Sequence, residues 1–265
     1  MKMLGWKQFV TKRGVWVGLC LTMLAAWVAL PVFAQNMEVK KKPPMYSYVA
    51  NWTLPRAQWG EIDKANAGDA RSYEKGISNG SLVAYGVDRN LVHQPEGTTH
   101  DNWFSSLSLE GLMAVLDDLN KTPDPPVLLA STKHSDGIYV SHYYNWTPGT
   151  YKDAYTHVSQ YKLKADSPDD TLDALAKAAI VPLMDKLLAE GVIVEYEVDL
   201  EAVHTTDPSK FWLVYLTPKA DGLDKVMAAI HKGVEANPLI GVSFSSTTDY
   251  TAHRDELART TCTFK

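Results

Sequence analysis

Apolar and polar positions alternate along two segments of this 265-residue chain, and the two segments match each other. Between Ser81 and His93, Val83, Tyr85 and Val87 alternate with Ala84, Gly86 and Asp88. Between Val192 and His204, Val194, Tyr196 and Val198 alternate with Glu195, Glu197 and Asp199. A period of two predicts strands with one face packed on helices and the other turned to the far side of the sheet. Each matched pair is 111 positions apart, and the spacing returns at Gly111-Leu112 and Gly222-Leu223. From there Leu112, Val115, Leu116 and Leu119, and equally Leu223, Val226, Met227 and Ile230, fall at helical spacing on one stripe. Self-similarity over this length predicts a duplicated domain.

The same patterning supplies the other elements. In the first half, Met45 to Trp52 reads as a strand, Pro55 to about Gly76 as a helix, Asn102 to Leu107 as the third strand and Val127 to Thr132 as the fourth. In the second half, Ile138 to Trp146 reads as the first strand, because Asn-Trp-Thr occurs at both Asn51 and Asn145. Helical segments follow from Thr150 to Ala189, then a strand over Phe211 to Thr217 and a closing strand over Ile240 to Ser245. Ser167-Pro168 reads as a helix start, which makes 167–190 an inserted helix, and Pro182 predicts a kink in it. The resulting division is a leader over 1–34, a flexible segment over 35–44, repeats over 45–135 and 136–248, and a tail over 249–265.

Strand, helix, strand, strand, helix, strand is the ferredoxin-like order. Tandem βαββαβ units of this kind resemble the dimeric α/β-barrel superfamily over roughly Pro44 to Ser246. The resemblance implies an α+β fold in which two ferredoxin-like sheets pack as a fused pseudo-dimeric barrel around a cavity. It also implies a range of functions, including cofactor-free monooxygenases, haem-dependent enzymes and isomerases, so the fold does not select a reaction.

Charge and targeting narrow the setting. Lys2, Lys7, Lys12 and Arg13 precede an apolar run from Val15 to about Leu30 and then Pro31-Val32-Phe33-Ala34, the three parts of a secretory signal peptide. The expected location is therefore secreted or periplasmic, without stable membrane insertion after cleavage. The formal net charge of the whole chain is −5, and loss of these four cations makes the mature chain more acidic. That disfavours nucleic acid as a partner. Only Cys262 remains after cleavage, so no internal disulfide forms.

The candidate chemistry follows from strand faces. Glu195 and Glu197 are expected to point into the barrel, opposite room left by Ala84 and Gly86, where burial raises a carboxyl pKa and equips it as a general base. On the first strands, Tyr48, Trp52, His142, Tyr144 and Trp146 share one parity, and Ser47, Asn51, Ser141 and Asn145 the other. With the aromatic parity inward the cavity is an aromatic box containing His142; packing of aromatics in a helix-covered core gives the same pattern. His93 and His204 are matched across the repeats and form the weak candidates for a metal pair. No hydrolase, kinase or zinc-protease motif occurs, and no cofactor is called for. The expected function is an exported protein, a monomer acting as a pseudo-dimer, that binds an apolar or aromatic small molecule through Trp52, Tyr144, Trp146 and Glu195. A cofactor-independent oxygenase or isomerase, with His142 or Glu197 as proton acceptor and Tyr48 or Asn51 as donor, is the alternative. A structural or interaction role is the third.

Overall fold

The computed structural model describes residues 38–93, 97–121 and 123–265, with residues 63–69 described in backbone only. The signal-peptide reading of residues 1–34 lies outside the described residues. Among the described residues eight strands are formed: β1 (Met45–Thr53), β2 (Ala84–Asn90), β3 (His100–Ser106), β4 (Lys133–Trp146), β5 (Gly149–Lys162), β6 (Glu195–Glu201), β7 (Lys210–Thr217) and β8 (Arg254–Phe264). They close into one barrel in the order β1-β3-β2-β8-β5-β7-β6-β4, and every neighbouring pair is antiparallel. Read from β4, the circuit runs β4-β1-β3-β2 and then β8-β5-β7-β6. Each run of four therefore places its fourth, first, third and second strand in the same order.

Helices cover the outside. On the first run these are α1 (Ile62–Asn79), α2 (Leu109–Leu119) and the single turn α3 (Pro126–Leu129). On the second they are α4 (Thr171–Leu175), α5 (Val181–Ala189), α6 (Ala220–Ala236) and α7 (Pro238–Thr247). The stripe predicted for α2 is buried at Leu112 and Val115 against Leu82, Tyr73 and Phe104. Its start is fixed by Ser108, whose hydroxyl accepts from the Gly111 N–H at 3.0 Å. A second core joins Met184, Leu187, Ile180 and Val226 to Tyr196, Val198, Phe211 and Leu213. Burying a side chain of this kind contributes about 1.5–3 kcal/mol, so each of these outer layers adds substantially to the favourable side of folding.

Glycines mark equivalent places in the two runs. Gly80 (φ 83°) and Gly191 (φ 68°) end their helices in the left-handed region that residues with a Cβ avoid. A Cβ on Gly111 would lie 2.7 Å from the Ser81 carbonyl, and one on Gly222 would lie 3.0 Å from the Val192 carbonyl, so both helix starts touch the chain entering the long strand.

Several expected elements fall elsewhere. Val127 and Leu128 belong to the turn α3, because Pro125 and Pro126 withhold N–H donors from a ladder and suit a helix start. The fourth strand is β4, which includes the Ile138 to Trp146 segment expected to open the second half. β4 runs unbroken through residue 136, so a division at 135 would cut a strand. The segment expected to be helical from Thr150 begins as β5, and helix starts only at Thr171. Ser167 does not cap that helix; its hydroxyl donates to the Thr247 carbonyl. Pro182 follows a π-helical turn over Ala176–Ile180, which absorbs the irregularity expected as a kink. Ile240 to Ser245 lies in α7, and the supposed tail supplies β8, which closes the barrel between β2 and β5. Cys262 is consequently buried at 1% exposure.

Candidate functional site: the barrel interior

The side chains not used by the outer layers turn inward. They surround a cavity of about 390 Å³. Alternation assigns them: Ser47, Val49 and Asn51 on β1, Ala84 and Asp88 on β2, Asp101, Trp103 and Ser105 on β3, and Glu195, Glu197, Asp199 and Glu201 on β6. β7 adds Lys210, Trp212, Val214 and Leu216, and β8 adds Arg254, Glu256 and Phe264. One end is apolar, where Ala84, Val194, Leu216, Cys262 and Phe264 pack with Trp103 and Trp146. The other carries Thr206, Lys210, Gln160 and Arg254.

Between them lies a belt of carboxyls. Glu195 and Asp199 are each 4% exposed and Asp101 is 7% exposed. Glu195 Oε2, Asp101 Oδ1 and Asp199 Oδ1 have no hydrogen-bond partner. Burial holds Glu195 well above the ordinary carboxylate range, reinforced by the charges of Glu197, Asp199 and Asp88. Burial likewise raises Asp101, with Glu256 and Asp88 adding to it. Asp88 is pushed up to about 7 by burial, against hydrogen bonds from Thr260, Trp103 and Thr156 that favour its ionised form. Glu197 and Asp199 form a hydrogen-bonded pair whose pKa values burial raises on both sides. Glu197 Oε2 also accepts from Ser47 Oγ at 3.4 Å. Ser47 in turn shares a 2.8 Å hydrogen bond with Ser105. The group so built can hold one proton between two carboxyls inside a partly apolar cavity.

The interior placement expected for Glu195 and Glu197 is what the barrel shows. The space expected over Gly86 is not open, because a Cβ there would lie 2.4 Å from the Trp103 indole, which fills it. Strand parity differs from the aromatic-box reading on β1. Asn51 lines the cavity, whereas Tyr48 packs outward on Phe104 with ring centroids 5.1 Å apart. Trp52 also faces outward, stacked on His134 at 3.6 Å among Leu54, Ile62 and Leu128.

On β4 the parity changes within the strand. Ser141 pairs with Asp199 and Tyr143 with Val198, leaving His142 as an extra residue without a partner on β6. This bulge puts Ser135 and Tyr139 inward on one side of it and Trp146 inward on the other. His142 itself does not line the cavity; its ring Nδ1 lies 3.0 Å from the Lys42 carbonyl. Tyr144 stacks on Trp146 at 5.7 Å and donates its hydroxyl to the Pro43 carbonyl at 3.0 Å, also outside the cavity lining. His93 packs on Trp59 at 4.9 Å, and His204 borders a separate shallow depression with Tyr46 and Val140. Among the described residues no group of three or more His, Cys, Asp or Glu is arranged to hold a metal ion.

Sequence reasoning did not single out Asp88, Asp101, Asp199, Trp103 or Phe264 as site residues. Asp88 and Asp199 carried the signal, since they continue the alternation of Gly86 and Glu197. Phe264 lay in the segment read as a tail.

No protein-family model matches the chain, and no curated protein sequence matches it. Solved structures share the fold. A protein from Lactobacillus acidophilus NCFM provisionally designated a monooxygenase superposes with a TM-score of 0.60 at 10% identity, covering 84% of this chain and 97% of its own. One from Fusobacterium nucleatum, with the same provisional designation, gives 0.54 at 6% identity over 84% and 95%. An anthrone oxidase-like protein gives 0.51 at 12% identity over 83% and 92%. The chain therefore shares with these proteins the fold of a closed antiparallel barrel covered by helices.

Proposed function

We propose that this chain is an exported small-molecule-binding protein whose ligand, with an apolar or aromatic body, occupies the barrel interior beside Trp103, Trp146 and Phe264. The observation that carries this reading is a cavity of about 390 Å³ that joins an aromatic end to buried carboxyls with unpartnered oxygens. Apolar walls with a few convergent polar groups are the ordinary make-up of a ligand site. In this reading the leader is removed on export and the mature chain is a monomer acting as a pseudo-dimer. Its two runs of four strands are duplicated ferredoxin-like units meeting between β4 and β5. The recurring strand order and the matched contacts of Gly111 and Gly222 support the duplication.

The test is titration with N-phenyl-1-naphthylamine, an uncharged aromatic dye that brightens on leaving water. The expected result is saturable uptake of one dye per chain, lost in Ala84→Phe, whose ring fills the apolar end. Absence of uptake by the folded wild-type chain, or unchanged uptake by Ala84→Phe, overturns the reading.

The Glu197–Asp199 pair favours a second reading, a cofactor-independent oxygenase or isomerase, to which the fold likeness to the monooxygenase-designated proteins adds support. Glu197 would accept the substrate proton while Asp199 retains the one already shared. Once a turned-over substrate is found, Glu197→Gln is expected to lower kcat by about a hundredfold or more. An unchanged kcat rejects that role.

A further inference from the structure

We infer that the cavity is built for an organic cation, a protonated amine on a flat apolar body, with the ammonium held between the Glu195 carboxyl and the Trp103 and Trp146 rings. The inference rests on the proposal that the interior is a ligand site, and adds the ligand's charge.

Seven carboxyls line the cavity against the two cations Lys210 and Arg254. Arg254 is turned to the backbone, donating from Nη1 to the carbonyls of Thr251 at 3.0 Å and His253 at 2.6 Å. Burial favours the protonated form of most of these carboxyls, and a cationic ligand is the kind that lets them ionise, whereas an anion would disfavour their ionisation further.

Glu195 is incompletely satisfied within the chain. It is 4% exposed, its Oε2 has no hydrogen-bond partner, and no ion pair among the described residues reaches it. A buried carboxyl without a partner is a destabilising arrangement unless something outside the chain completes it. An ammonium supplies both the donor and the opposite charge.

Trp146 neighbours Glu195 across the β4–β6 ladder, and Leu216 neighbours it across β6–β7. The Trp146 N–H is already committed to the Lys265 carbonyl at 2.8 Å, so the indole has no donor left for a ligand and meets the cavity as an aromatic wall. A carboxyl beside the Trp146 indole, at the apolar end that Trp103 also lines, suits an ammonium attached to an apolar body, because an aromatic ring attracts the same charge. A bare metal ion would require several ligands, and no such group is arranged among the described residues.

The experiment is calorimetric titration of the full mature chain with four probes: tryptamine, tryptophol, indole-3-propionate and Mn²⁺. Tryptophol keeps the indole body and replaces the ammonium by a hydroxyl. Tryptamine is expected to bind at least about tenfold more tightly than tryptophol, the worth of one charge-assisted hydrogen bond, with no uptake of the propionate or of Mn²⁺. Glu195→Gln is expected to abolish the preference while still binding both indoles. Equal or tighter binding of tryptophol or the propionate, or an undiminished preference in Glu195→Gln, overturns the inference. So does Mn²⁺ binding that displaces tryptamine. If no indole binds while N-phenyl-1-naphthylamine does, the cationic ligand is wrong and the cavity reading stands; if neither binds, both fall. Should Glu195→Gln not fold, the wild-type order of the four probes decides.

Discussion

Each inward carboxyl has its neighbours chosen by alternation, and Asp88 shows the energetic consequence. Burial pushes it up to about 7, so the native chain holds a proton that the unfolded chain, with an ordinary carboxyl near pH 4, releases. The native state therefore binds more protons between those values, and stability falls as pH rises through that window. The contribution is present in full below about pH 4 and lost by the time the pH passes the folded value. Asp88→Asn removes the titrating group. It is expected to raise the unfolding free energy at pH 8 by an amount on the order of a few kcal/mol. It should leave stability at pH 4 nearly unchanged, as read from urea melts at the two pH values. A larger gain at pH 4 than at pH 8 contradicts the assignment.

At the scale of elements, legibility depended on whether alternation ran unbroken. β2 and β6 were readable because apolar outward residues such as Tyr196 and Val198 contrast with charged inward ones such as Glu195 and Glu197. β4 was not, because the extra residue His142 reverses the parity mid-strand and leaves no mark in composition. The repeated Asn-Trp-Thr then misled, since Asn51 lies on a first strand and Asn145 on a fourth. β8 does alternate, with Ala258, Thr260, Cys262 and Phe264 buried, but its inward positions are mostly small or polar and so resemble a solvated tail. In a barrel with a polar interior, hydrophobic patterning reports the helix-covered face and says little about the other. That is why Glu195 and Glu197 were found from the strand whose outer face is most apolar, whereas Asp101 and Trp103 were not.

For the whole molecule, closure of the barrel converts these separate faces into one chemical environment. Tyr48 and Trp52, the aromatic residues expected inside, instead anchor the helices, while Trp103, Trp146 and Phe264 assemble from three strands distant in sequence. No helix among the described residues is long and apolar enough to cross a membrane. Occupancy of the interior by a small molecule can be read from the native mass spectrum of the protein purified from its own host. The expected species is a monomer carrying one extra small mass, released on unfolding and absent from Ala84→Phe. A monomer of bare polypeptide mass, or an extra mass that Ala84→Phe retains, would contradict it.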